Sequence, residues 1–122
     1  MLRFHVAIHG EGNQAPLAMG FETARERLEV LPRMFIEPDG SFVWRGETKV
    51  REAWQVDGNL IDRGDVLAYV ELKGVCPSER LDELLRALGW PETKVVFQLV
   101  RTGVVVEEGE FRRVAETEEG AV

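Results

Sequence analysis

The chain is poor in the residues that usually advertise chemistry: one cysteine, two histidines and one tyrosine, with no apolar run near the ~20 residues a membrane helix needs. Each shortage excludes something. A lone Cys76 rules out an internal disulfide and any zinc site built from several thiolates. Met1 to His9 is too short and too polar for a secretory signal, so the expected location is the cytoplasm, with no membrane partner. Basic residues are the minority, 15 Lys and Arg against 22 Asp and Glu, for a net charge of −7. That balance opposes binding to phosphate backbones, whose affinity comes from clustered cations, so no nucleic-acid partner is expected. A nucleophile elbow, a P-loop, an HExxH pair, a CxxC pair and a calcium loop are all missing. No cofactor and no metal site is therefore expected.

What is present describes one domain. At 122 residues, 44% hydrophobic and 30% charged, the chain is long enough to bury a core without crosslinks. Residues 1–114 are expected to form that domain. Residues 115–122, AETEEGAV, are acidic with little to bury and are expected to be a mobile tail.

The most explicit stretch is Val66 to Val100, which reads as strand, helix, strand. Val66, Ala68, Val70 and Leu72 alternate with Leu67, Tyr69, Glu71 and Lys73, the period of a strand with one apolar face. Leu81, Leu84, Leu85 and Leu88 then recur at helical spacing, with Arg80, Asp82, Glu83 and Arg86 off the stripe. Cys76 and Pro77 suit the helix start, Glu79 suits its positive first turn, and Gly89 with Pro91 suits its end. Lys94 to Val100 is rich in strand-forming residues.

Elsewhere, Phe4, Val6 and Ile8 alternate with His5, Ala7 and His9 in a first strand over residues 3–9. The two histidines share a face, but at four residues' separation they stand ~13 Å apart and cannot chelate one metal together. Gly10 to Gly20 follows as a loop. Its Gly10, Gly12 and Ala15 spell a G-x-G-x-x-A pattern, yet Pro16 and Gly20 interrupt where a dinucleotide-binding helix would begin, so an ordinary connection is the reading. Thr23 and Glu26 form a T-x-x-E capping box that predicts a helix start within a residue or two of Thr23, with Pro32 ending the helix. Glu37-Pro38-Asp39-Gly40 predicts a turn between two strands, and Asp57-Gly58 a second, two-residue turn between 53–56 and 59–62. Asp62 to Asp65 turns the chain again. Its Arg63-Gly64-Asp65 tripeptide is read as turn chemistry, not as an adhesion signal. Short strands are predicted at Val104 to Val106 and Phe111 to Val114.

These elements predict an α+β two-layer sandwich: a mostly antiparallel sheet with two helices on one face, a ferredoxin-like β-α-β-β-α-β variant with an extra hairpin. The predicted function is a non-enzymatic binding, regulatory or oligomerisation module, a homodimer or a partner of another protein. Aromatics carry that reading: Phe42, Trp44, Trp54 and Tyr69, with Glu71 and Lys73 beside Tyr69, are candidates for an uncovered sheet face that binds a ligand or an interface. The alternative is a small enzyme or ligand-binding protein with a pocket between the glycine loop and the sheet. Its candidates are His9, Glu11 and Cys76, the cysteine because a helix N-terminus would favour its thiolate. RNA binding on the sheet lacks the expected aromatic and basic signature.

Overall fold

Seven antiparallel strands form one sheet in the computed structural model, which describes residues 1–13 and 15–116. In chain order the elements are β1 (Leu2–Gly10), α1 (Phe21–Glu29), β2 (Met34–Ile36), β3 (Ser41–Glu47), β4 (Ala53–Arg63), β5 (Val66–Cys76), α2 (Ser78–Ala87), β6 (Val95–Leu99), β7 (Val105–Val106) and α3 (Glu108–Ala115). The strand order is β2-β3-β4-β5-β1-β6-β7. The first strand to be made is thus central, flanked by the strands on either side of α2.

One parity of residues makes the core. Phe4 faces Gly74 across the β1–β5 ladder, Val6 faces Leu72, and Ile8 faces Val70 on one side and Phe97 on the other. Trp44 faces Val56 across β3–β4. These side chains pack with Ala24 and Leu28 of α1, the leucines of α2, and Phe111 and Ala115 of α3 in one buried cluster. All three helices therefore lie over the same side of the sheet, as a two-layer α+β architecture requires.

Several sequence expectations change. Asp57-Gly58 is no turn: β4 runs unbroken through it, with Gly58 opposite Phe42 and Leu72. The glycine is there for space, since a Cβ on it would lie 2.0 Å from Cζ of Phe42. The hairpin turn falls instead at Thr48 to Glu52, where Thr48 N–H donates to Glu52 O and the Thr48 hydroxyl accepts from Glu52 N–H. The other two turns fall where the sequence places them. Gly40 takes a φ of +92° after Pro38 and Asp39, and the Arg63–Val66 pair closes a hairpin over Gly64.

The capping box does not form. Helix α1 starts at Phe21 with Gly20 as its cap and no capping side-chain hydrogen bond, because Gly20 is tied to Val66 by a β-bridge that fixes the entry two residues earlier. Arg25 does reach Glu29, at 2.9 Å. Leu67 is buried and Val66 exposed, the reverse of simple alternation. The cause is a β-bulge: Ile61 pairs with Tyr69 and Asp62 with Leu67, leaving Ala68 extra and flipping the parity of what precedes it.

The segment around Phe111 is a helix, not a strand, and brings the helices to three. Glu108 and Glu110 occupy its first turn and Arg112 and Arg113 its last, matching the helix dipole. Phe111 stacks on Phe97 at 4.3 Å and meets Phe4 edge-on at 5.6 Å. Arg112 pins this helix to α2, donating to the Ser78 hydroxyl at 2.7 Å and to Asp82 at 2.6 Å, while pairing with Glu108 and lying over Trp90. Ala115 is fully buried, so the domain extends past residue 114. Residues 117–122 of the expected tail lie outside the described residues.

Candidate functional site on the uncovered sheet face

The parity that makes the core sends the alternate residues to the other side of the sheet, where none of the described helices lies. Two of the predicted surface aromatics are not among them. Phe42 and Trp44 point to the helices and are buried, Trp44 with its indole N–H donated to Pro32 O at 3.0 Å and its ring edge-on to Trp54. Trp54 is buried on the same parity of β4 and also lines a groove described below. Tyr69, Glu71 and Lys73 do lie on the uncovered face.

Around Ala7 this face carries a polar group of side chains from three strands. His5 Nε2 lies 2.7 Å from Glu71 Oε2, a diagonal contact across β1–β5, and Lys73 stands directly opposite His5. His9 is 7% exposed, donates from Nε2 to Gln98 Oε1 at 3.1 Å, and packs its ring on Tyr69 at 5.3 Å. Its Nδ1 is buried without a hydrogen-bond partner among the described residues.

The three candidates for catalysis are not brought together. Cys76 ends β5 opposite Leu2 on the helix side, buried, and is not a helix cap; Pro77 takes that role. Burial pushes its thiol up to about 12, against the opposing pull of Arg112 and with a further push from Glu79. That is the opposite of an activated nucleophile. His9 is seven residues away along β1, about 23 Å at ~3.3 Å per residue, and on the other face. Glu11 is exposed and lies 3.6 Å from Lys94. The glycine loop folds back on β1, with Gly10 N–H donating to Ala15 O and a Cβ at Gly10 only 2.2 Å from Pro16 O. Among the described residues no three His, Cys, Asp or Glu side chains are grouped to hold a metal, and no helix is long and apolar enough to cross a membrane.

What sequence reading missed is a band of cations. At the end of the face near Arg3, a groove of about 950 Å³ runs across β1, β5, β4 and β3 to the short edge strand β2. Arg3, Arg33, Arg45 and Phe35 line it, with Val75 and Gln55 on its floor and Glu47 and Glu52 at its far end. Among the described residues none of the three arginines has a carboxylate partner; Arg45 lies over the Phe35 ring at 5.4 Å. A smaller depression of about 460 Å³ adjoins it, sharing Arg3 and Val75 and adding Lys73 and Arg101. Together the two hollows are lined by five fixed positive charges and two carboxylates, on a chain whose net charge is −7. Arg3 sits between the core residues Leu2 and Phe4 in sequence, and Arg45 follows the core residue Trp44. Only strand register reveals that they share a row with Val75 and Gln55.

Comparison with protein-family models, curated proteins and solved structures finds no match to this chain. The uncovered face must therefore be read from its own chemistry.

Proposed function

We propose that this protein is a non-enzymatic binding module whose uncovered sheet face receives an acidic segment of another protein. The observation that carries this is the groove lined by Arg3, Arg33 and Arg45, cations that have no carboxylate partner among the described residues of an acidic chain. Exposed Phe35 beside them supplies apolar contact, so the favoured segment alternates acidic and aliphatic side chains. We take the fold itself to be an elaborated ferredoxin-like plan, supported by β1 lying between the two strands joined through α2.

Two competing occupants fit less well. Single-stranded nucleic acid needs successive aromatic platforms, and among the described residues this face exposes Phe35 while Tyr69 is packed against His9. A second copy docking face to face would set the same cations against each other, and the edge strands, three residues in β2 and two in β7, offer little backbone for edge pairing.

Fluorescence anisotropy with a labelled peptide of alternating Glu and Val tests the reading. Binding should weaken about tenfold in the Arg33→Glu/Arg45→Glu variant, from the loss and reversal of two partly exposed charge contacts. It should weaken again between about 0.1 and about 1 M salt, as the screening length falls from ~10 to ~3 Å. Equal binding by the variant would refute the proposal, and tighter binding of oligo(U) than of the peptide would replace the protein partner with nucleic acid.

A further inference from the structure

We infer that the smaller depression is a separate binding site for a small organic anion, a carboxylate carried on an apolar stem. It lies where β1, β5 and β6 run side by side on the uncovered face, with a volume of about 460 Å³, within the ~300–1,000 Å³ usual for ligand sites. Its walls are chemically one-sided. Arg3, Lys73 and Arg101 supply three positive charges, Val75 and Val100 an apolar floor, and among the described residues no carboxylate lines it. Among the described residues none of the three cations has an ion-pair partner. Two acids stand near it on the same face: Glu71 is held by His5 Nε2 at 2.7 Å, with His5 lining the depression beside it, and Asp57, opposite Lys73 on β4, accepts from Gln55 Nε2 at 3.0 Å.

The arrangement is set by backbone pairing. Lys73 and Val75 alternate on β5, Arg3 and His5 on β1, and the Val100 N–H donates to His5 O at 3.1 Å, which holds the end of β6 against β1. Three cations with an apolar floor between them favour a monoanion with a hydrocarbon body over a small hydrated anion, because the valines gain only from burying apolar surface. A carboxylate on an apolar stem is offered both by a free organic acid and by the C-terminal residue of a peptide. The site does not depend on the acidic-partner reading, although it shares Arg3 and Val75 with that groove.

Isothermal titration calorimetry of the intact protein with naphthalene-2-carboxylate tests it, beside the neutral 2-naphthalenemethanol, inorganic phosphate, and a short peptide ending in Phe with its C-terminus free or amidated. The expected result is saturable one-to-one binding of the naphthoate, with much weaker binding of the alcohol and of phosphate. Lys73→Gln/Arg101→Gln should lower the naphthoate affinity about tenfold or more, as loss of charge-assisted contacts predicts. Both substitutions are at exposed positions, and Arg27→Gln/Arg86→Gln, at exposed positions on helices α1 and α2 across the sheet, controls for the loss of two positive charges. Tighter binding of the free-terminus peptide than of naphthoate would assign the anion to a chain end; the reverse would assign it to a free acid. No saturable binding of either carboxylate, equal affinity for the alcohol, or an unchanged affinity in the double variant would overturn the inference. A Glu-Val peptide that still binds in that case would leave the partner reading standing and the small-anion site alone rejected.

Discussion

Phe111→Ala tests whether the C-terminal segment belongs to the cooperative core. The ring is fully buried, parallel to Phe97 at 4.3 Å and edge-on to Phe4 at 5.6 Å, so truncation removes one stacked and one edge contact along with the buried area. Phe-to-Ala changes in cores cost about 3–5 kcal/mol, and the paired aromatics place this one at about 4. Unfolding entropy near 2.1 cal/mol/K per residue gives about 0.26 kcal/mol/K for 122 residues, so the midpoint should fall by about 15 °C. Urea unfolding followed by emission of the three tryptophans should show a lower midpoint with an unchanged slope. A loss below about 1 kcal/mol would mean that α3 does not close the core over β1 and β6, and the reasoning that joins it to the sheet would fail.

Gly58→Ala should destabilise the protein by about 1–3 kcal/mol, since its methyl collides with the Phe42 ring at 2.0 Å; a variant as stable as wild type would restore the turn reading of Asp57-Gly58. Arg112→Ala breaks the links from α3 to Ser78 and Asp82 at once and should cost about 2 kcal/mol, read by urea midpoint, whereas Arg113→Ala, at an exposed pair with Glu110, should cost less than about 0.5. Cys76 should resist a thiol reagent in the native protein and react once urea unfolds it; prompt reaction would contradict its burial. The same thiol makes stability pH-dependent. Its folded value near 12 lies above the ordinary 9.0, so between those values the folded state keeps a proton that the unfolded chain releases. Stability from this group is complete below pH ~9 and declines by up to ~1.4 kcal/mol per pH unit above it. Cys76→Ala should flatten that decline, and an equally steep fall in the variant would count against the buried thiol as its source.

The parts of the fold that were legible in sequence share one property: their signal is local. The leucines of α2, the alternation in β1 and the Pro-Asp-Gly turn before β3 each lie within a dozen residues and are read without knowing what they touch. The misreadings came where a distant residue decides. Gly58 looks like a turn until Phe42 from the neighbouring strand is seen to occupy the space over it. Thr23 and Glu26 match a capping box, yet a bridge from Gly20 to Val66, far along the chain, sets the helix start. Phe111 to Val114 looks extended because aromatic and branched residues suit strands, whereas Phe97 and Phe4 reward the helical spacing of Phe111 and Ala115.

The candidate site was the least legible part for the same reason carried one step further. A binding face on a sheet is assembled from every second residue of several strands, so its members are separated in sequence by core residues that dominate each local pattern. Arg3 stands between Leu2 and Phe4, and Arg45 between Trp44 and Gly46; each alone reads as the solvated half of an amphipathic strand. The counter-signal was global composition, because an acidic chain invites the inference that no basic surface exists. Segregation removes that inference: the two hollows gather Arg3, Arg33, Arg45, Lys73 and Arg101 against Glu47 and Glu52, a balance of +3, so a net charge of −7 leaves −10 on the rest of the molecule. The two hollows are then locally opposite in sign to the whole. Such a molecule orients as it approaches a charged partner, presenting its cationic face to an acidic one and repelling it elsewhere.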